Sequence, residues 1–199
     1  IHYRVTGQRG LLDIAIKAAD YLYGFYKKSN PTLARNAICP SHYMGTVELY
    51  RTTKQPKYLA LAKHLIDIKG EIEDGTDDNQ DRIPFRKQNK AMGHAVRASY
   101  LYAGVADLCA EIQDTTLSNR LFSIWEDVVR HKMYITGGLG SLYDGTSPDG
   151  TSYDPTEVQK IHQAFGRDYQ LPNLTAHNET CANIGNMLWN WRMTNFTGD

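Results

Sequence analysis

The sequence has 199 residues, 41% of them hydrophobic, and its 22 Lys and Arg are balanced by 22 Asp and Glu. That length suits one domain able to hide roughly 70% of its unfolded surface, and the even charge excludes the basic footprint of a nucleic-acid binder. No apolar run reaches the roughly 18 residues of a membrane span, and Cys39, Cys109 and Cys181 are too few and too scattered for a disulfide framework.

In chain order, the first feature is a repeat. Tyr3-Arg4-Val5-Thr6-Gly7-Gln8 followed by Leu11-Leu12 recurs as Tyr50-Arg51-Thr52-Thr53-Lys54-Gln55 followed by Tyr58-Leu59, a period of about 47 residues. Apolar residues then recur at three- and four-residue steps from Leu12 to Ala19 and from Leu59 to Ile66, as in helices with one buried face. Thr46 to Tyr50 closes a preceding helical stretch, so the unit is helix, polar turn, helix. Ala91–Ile112 and Leu117–His131 form a further helical pair, and Glu179–Met193 reads as helix again. The closing Trp191 to Gly198 echoes the first turn. Two irregular insertions, Gly70–Lys90 and Thr136–Asn178, interrupt the pattern, and loops of that length are usually functional or disordered. The expected fold is therefore all-α, an incomplete (α/α)6 toroid of helical hairpins with long loops at one mouth. Residues 1–199 are expected to form part of a single such domain, with apolar helix faces left open to self-association.

Few residues announce chemistry on their own. Tyr134 to Ser141 is glycine-rich but lacks the Lys-Ser/Thr of a phosphate loop. The acidic run Asp74–Asp81 misses calcium-loop spacing and reads as a solvated loop. Glu179 and Cys181, two apart where a loop enters a helix, can converge on one ion, with His162 and His177 nearby; a buried structural cysteine beside a helix-start glutamate fits the same pattern. His94, at the start of an apolar helix, fits either a core histidine or a ligand-facing one.

Four ordered stretches carry a resemblance: Gly93-His94-Ala95-Val96-Arg97-Ala98, Tyr134-Ile135-Thr136-Gly137-Gly138-Leu139-Gly140-Ser141, Ala164-Phe165-Gly166-Arg167-Asp168-Tyr169-Gln170-Leu171-Pro172-Asn173, and Asn178-Glu179-Thr180-Cys181-Ala182. The sequence resembles the β-L-arabinofuranosidase superfamily, glycoside hydrolase families 127 and 146 and their relatives, along essentially its whole length. The resemblance implies a helical toroid that binds a furanose at a zinc-thiolate centre, with an oligo- or polysaccharide substrate and a periplasmic or extracellular setting. It implies a retaining mechanism in which a cysteine attacks the anomeric carbon and a glutamate serves as acid and base. Glu179 and Cys181 are implied as two zinc ligands. The remaining two, an adjacent cysteine pair, do not occur in these residues, so weak zinc binding or none is expected. His94 is implied as a sugar contact, and His42 is taken with it as a candidate substrate-binding residue.

One position departs from the family pattern. The acid/base glutamate precedes Ala-Phe, and Gln163 stands there in His162-Gln163-Ala164-Phe165. An amide cannot release a proton as a carboxylic acid does, and loss of general-acid help costs about 10²–10⁴-fold in rate. Gln163, the candidate catalytic residue, thus leaves three readings open. The chain binds sugar without cleaving it, as a non-catalytic helical-repeat module; Glu157 or Asp168 substitutes; or the substrate is an acidic sugar such as aceric acid, whose carboxylate Gln163 hydrogen-bonds. The long insertion Tyr143–Pro155 fits a remodelled mouth.

Overall fold

The computed structural model describes residues 1–28, 42–71, 75–146 and 160–198. The described chain is mostly helical, as expected: α1 (His2–Thr6), α2 (Gly10–Tyr26), α3 (His42–Thr53), α4 (Pro56–Asp67), α5 (Ala95–Glu111), α6 (Thr115–Asp127) and α7 (Thr180–Thr197). A π-helical turn, Val128–Lys132, continues α6. The second insertion is not wholly irregular. Within it β1 (Leu142–Thr146) and β2 (Lys160–Ala164) pair antiparallel, Leu142 opposite Ala164 and Thr146 opposite Lys160. Cys39 and Glu157 lie outside the described residues.

The sequence repeat is a repeat of hydrogen bonds. Gly7 (φ 73°) donates its N–H to Tyr3 O at 2.8 Å, and Lys54 (φ 59°) donates to Tyr50 O at 2.7 Å. Gly198 (φ 81°) repeats the cap by donating to Thr194 O at 2.9 Å. Before each of these stands a threonine whose hydroxyl returns to the helix: Thr6 to His2 O at 2.8 Å, Thr53 to Leu49 O at 2.8 Å, Thr197 to Met193 O at 3.0 Å. Each helix therefore ends in one left-handed residue that satisfies a terminal carbonyl. Helix starts are equally local: Pro56 opens α4 behind an extended Gln55, and the Asp114 carboxylate accepts the Leu117 N–H at 3.0 Å to start α6.

Helices α3, α5 and α7 run parallel at the centre. Tyr43 meets Gly104, and further along both helices Arg51 meets Asp107 and Glu111. Likewise Gly185 packs on Ser99, Tyr102 on Trp189 with ring centroids 4.9 Å apart, and Asp107 pairs with Arg192 at 2.6 Å. A β-carbon on Gly104 would come within 2.3 Å of Tyr43 Cβ, and one on Gly185 within 2.8 Å of Ser99 Cβ, so these helices approach closely only because of glycine. From Leu101 to Cys109 every residue of α5 is buried. The N-terminal ends of α5 and α7, bearing His94 and Glu179, consequently lie side by side, whereas α3 opens at His42 alongside the middle of α5, where Tyr43 meets Gly104. Some 13 residues on from His94, about 20 Å away along α5, Asp107 marks the other end.

Apolar side chains also remain open. Ile184, Met187 and Trp191 make an exposed stripe along α7, and Val5, Leu11, Ile14 and Tyr21 are exposed on α1 and α2. Among the described residues, no helix is long and apolar enough to cross a membrane.

Candidate functional site

Three segments converge where α5 and α7 begin. The first carries His94, the extended residue before α5. Its backbone bridges Ala164 of β2, and Phe165 donates its N–H to Gly93 O at 3.1 Å. That pairing sets Gln163 next to His94, and its side chain acts on the His94 ring. Burial holds the imidazole below its ordinary range, with the Arg97 charge adding to the effect. A neutral ring can donate from one nitrogen and accept at the other, and His94 Nδ1 is buried without a hydrogen-bond partner among the described residues.

The acidic run that reads as a solvated loop is instead a buried buttress for this histidine. Asp77 and Asp81 are almost fully buried. Arg82 grips Asp77 with two hydrogen bonds, 2.7 and 3.1 Å, and Arg97 pairs with Asp78. Bidentate guanidinium pairing supplies Asp77 with what water would otherwise provide, while Asp81 accepts the Thr76 N–H and faces the Lys69 charge. Gln80 sits at φ 55° and directs its amide to the carbonyls of Asp77 and Asp78 and, at 3.4 Å, to His94 O. Gly93 (φ 79°) is required here, because a β-carbon would fall 1.7 Å from Asp77 O.

The third segment enters α7. The glycine loop holds it: Gly140 O accepts from the Asn178 N–H at 3.1 Å, Ser141 O from the His177 N–H at 3.0 Å, and the Leu139 N–H reaches Asn183 Oδ1 at 3.1 Å. Gly140 (φ 74°) also packs on Ala95, tying this loop to the start of α5. Glu179 occupies the N-cap position of α7 but caps nothing. Its carboxylate stands beside the Cys181 thiol instead, and this proximity and its charge push the thiol above its usual range. Cys181 is exposed rather than buried as a structural cysteine would be. Glu179 Oε2 is buried without a hydrogen-bond partner among the described residues; His177 Nε2, likewise without one, lies 3.8 Å away. The charge of Glu179 is also felt at His94, so both helix starts face one space.

Strain gathers here too. Of five described non-glycine residues at positive φ, Gln163 (53°), Asn178 (43°) and Gln80 (55°) belong to this group. Each costs about 1–2 kcal/mol, and such cost tends to concentrate at ligand sites. Sequence reasoning passed over Asn178, Gln80 and Tyr143, whose exposed ring stands edge-on 5.3 Å from His177; only Gly93 beside His94 signalled a close backbone approach. His42, at the start of α3 alongside the middle of α5, packs against Tyr43, ring centroids 4.2 Å apart. The converging group is His94, Gln163, His177, Glu179 and Cys181.

The sequence profile of the β-L-arabinofuranosidase GH127 catalytic domain matches residues 1–199. The chain belongs to the GH127 family. A non-reducing end β-L-arabinofuranosidase of Bifidobacterium longum is 29% identical to the GH127 chain over 204 aligned residues, covering 92% of it and 28% of the relative. A solved glycoside hydrolase is 66% identical with a TM-score of 0.94, and the chain covers 32% of it. A GH127 β-L-arabinofuranosidase from Geobacillus stearothermophilus T6 is 31% identical with a TM-score of 0.81, again with 32% of its length covered. The chain therefore spans about a third of these relatives.

An oxygen, a sulfur and a nitrogen donor, from Glu179, Cys181 and His177, suit a borderline-soft cation such as zinc. A second candidate cluster suits one less. In the GH127 chain Asp127, His131 and Asp168 offer ligand atoms within 4.8 Å of one another. Yet Lys132 Nζ lies 2.9 Å from Asp127 and 4.0 Å from Asp168, and Lys90 lies 3.0 Å from Asp168. Two ammonium groups already neutralise both carboxylates. Although burial pulls Asp168 upward, Lys90 and Lys132 hold it below the usual carboxylate range, opposite to what a substitute general acid needs.

Proposed function

We propose that the protein containing this chain is a β-L-arabinofuranosidase-like glycoside hydrolase, and that this chain supplies part of an (α/α)6 toroid whose mouth binds plant cell-wall glycans. The convergence of Glu179 and Cys181 with His94 and Gln163 carries the reading. Glu179 and Cys181 would hold zinc together with cysteines elsewhere in the protein, with His177 at its edge. The metal, when bound, keeps coordinated thiols as thiolates suited to a retaining mechanism. A cation beside Cys181 also converts the raised thiol into a favoured anion. His94, held neutral, would contact a sugar hydroxyl, and Gln163 would orient the group it faces. The open faces of α1, α2 and α7 would pack on neighbouring hairpins; the 199 residues alone would hold zinc weakly, show no turnover and self-associate.

Turnover of β-L-arabinofuranosides by the full-length protein, lost in Cys181→Ser and Glu179→Gln, tests this. Sugar binding without turnover favours a binding module. A second reading draws support from Gln163 itself. Asp78, whose charge also acts on His94, is already paired with Arg97, and the Gln163 amide, unlike a glutamate, does not repel an acidic sugar. If that reading is right, Gln163→Glu loses activity on an acidic-sugar glycoside and gains it on the neutral one; the opposite change on both rejects it.

A further inference from the structure

The cluster that fails as a metal site is built around a single backbone unit. Ala91, three residues before His94, donates its N–H to Asp127 Oδ2 at 2.8 Å, and its carbonyl accepts from Lys132 Nζ at 2.7 Å. Asp127 and Lys132 pair with each other at 2.9 Å, and the Lys132 side chain is 1% exposed. An ion pair thus clasps both polar groups of one residue at the approach to His94. The π turn Val128–Lys132 that continues α6 carries Lys132; such turns occur often at functional sites.

The same cluster reaches the strand that carries Gln163. Asp168, five residues after Gln163, takes Lys90 at 3.0 Å and stands 4.0 Å from Lys132. Tyr169 donates its N–H to His131 O at 2.8 Å, its ring edge-on to that of His131 at 5.3 Å. The segments before His94 and after Gln163 are therefore bolted to one end of α6, while the His94–Ala164 bridge joins them directly. A buried ion pair contributes little net stability against apolar replacements, but it fixes geometry, and breaking it leaves a charge stranded.

We propose that the Asp127–Lys132 pair is a positioning pair that sets the His94 ring against Gln163 for sugar binding. This rests on the functional reading above for its purpose, not for its geometry. The test compares ring-nitrogen NMR shifts of His94 in the full-length protein, in Lys132→Met and Asp127→Asn, and in Lys63→Met, which removes an exposed pair on α4. Both cluster variants are expected to move the His94 ring-nitrogen shifts away from those of the unaltered protein, while Lys63→Met retains them. In assays on arabinofuranosides, kcat/KM of the cluster variants falls about 10–100-fold, mostly in kcat, as a misplacement near 1 Å would cause.

Folded cluster variants with an unchanged His94 shift overturn the proposal. Should they not fold, Lys90→Met, which loosens only the exposed end of the belt, carries the test: a smaller shift change is expected, and none overturns it. The NMR readout needs no substrate. A protein whose His94 shifts move in these variants but which cleaves no glycan refutes the enzymatic reading and leaves the positioning role standing.

Discussion

The two ends of the parallel helices α3, α5 and α7 handle buried polarity in opposite ways. At the C-terminal end, Asp107 takes Arg51 at 2.7 Å and Arg192 at 2.6 Å, while Arg51 also holds Glu48 and Glu111 at 2.8 and 2.6 Å. Burial of Arg51 is outweighed by these hydrogen bonds, and its guanidinium is held above its ordinary range. At the N-terminal end, His94 Nδ1, His177 Nε2, Asn178 Oδ1 and Glu179 Oε2 are buried without hydrogen-bond partners among the described residues. Lys69, buried there between Asp81 and the Tyr43 ring, is pushed down to about 8 by burial. One end spends its charges on itself; the other keeps polar atoms and strained backbone facing a space. An unmade buried hydrogen bond costs about 1–3 kcal/mol, so the second arrangement points to a ligand that completes it.

Removing charge at the satisfied end should hurt stability most. Asp107→Ala takes the carboxylate from Arg192, while Arg51 keeps Glu48 and Glu111, and is expected to cost about 3 kcal/mol, read as a drop in the denaturation midpoint. At the open end, Gly93→Ala forces a β-carbon onto Asp77 O and is expected to cost about 3 kcal/mol. It should also abolish the His94–Gln163 contact; retention of both stability and contact would break the buttress account. Lys69 gives a pH signature. Its folded pKa lies below the unfolded value, so the unfolded chain binds the extra proton between about pH 8 and the ordinary lysine value of 10.5. Stability should therefore rise with pH across that window relative to Lys69→Met, by on the order of 3 kcal/mol at most; parallel curves would contradict the burial. Asn178→Gly relieves a left-handed backbone and should gain about 1 kcal/mol, whereas the same change at well-packed Ser99 should lose stability. A stability gain beside Glu179 would mark strain kept for function.

Much of this was legible in the sequence. The recurrence of Tyr3–Gln8 at Tyr50–Gln55 forecast the capped hairpins because threonine and a left-handed residue at fixed offsets are local chemistry. That Glu179 and Cys181 stand where α7 begins was legible, because a loop running into a periodic apolar stretch marks a helix start. The burial of Asp77 and Asp81 was hidden, since it depends on the two-armed grip of Arg82 on Asp77 and on Lys69, twelve residues before Asp81. The hairpin of β1 and β2 was hidden for a similar reason: its partners stand 14 residues or more apart, with no two-residue turn to announce it.

The central claim is that Glu179 and Cys181 share one cation facing His94 and Gln163. Cobalt(II) loaded into the full-length protein tests it by absorption. The account predicts that Cys181→Ser weakens the sulfur-to-metal charge-transfer band and that Glu179→Gln shifts the ligand-field bands. Spectra of both variants that superimpose on that of the unaltered protein would contradict it.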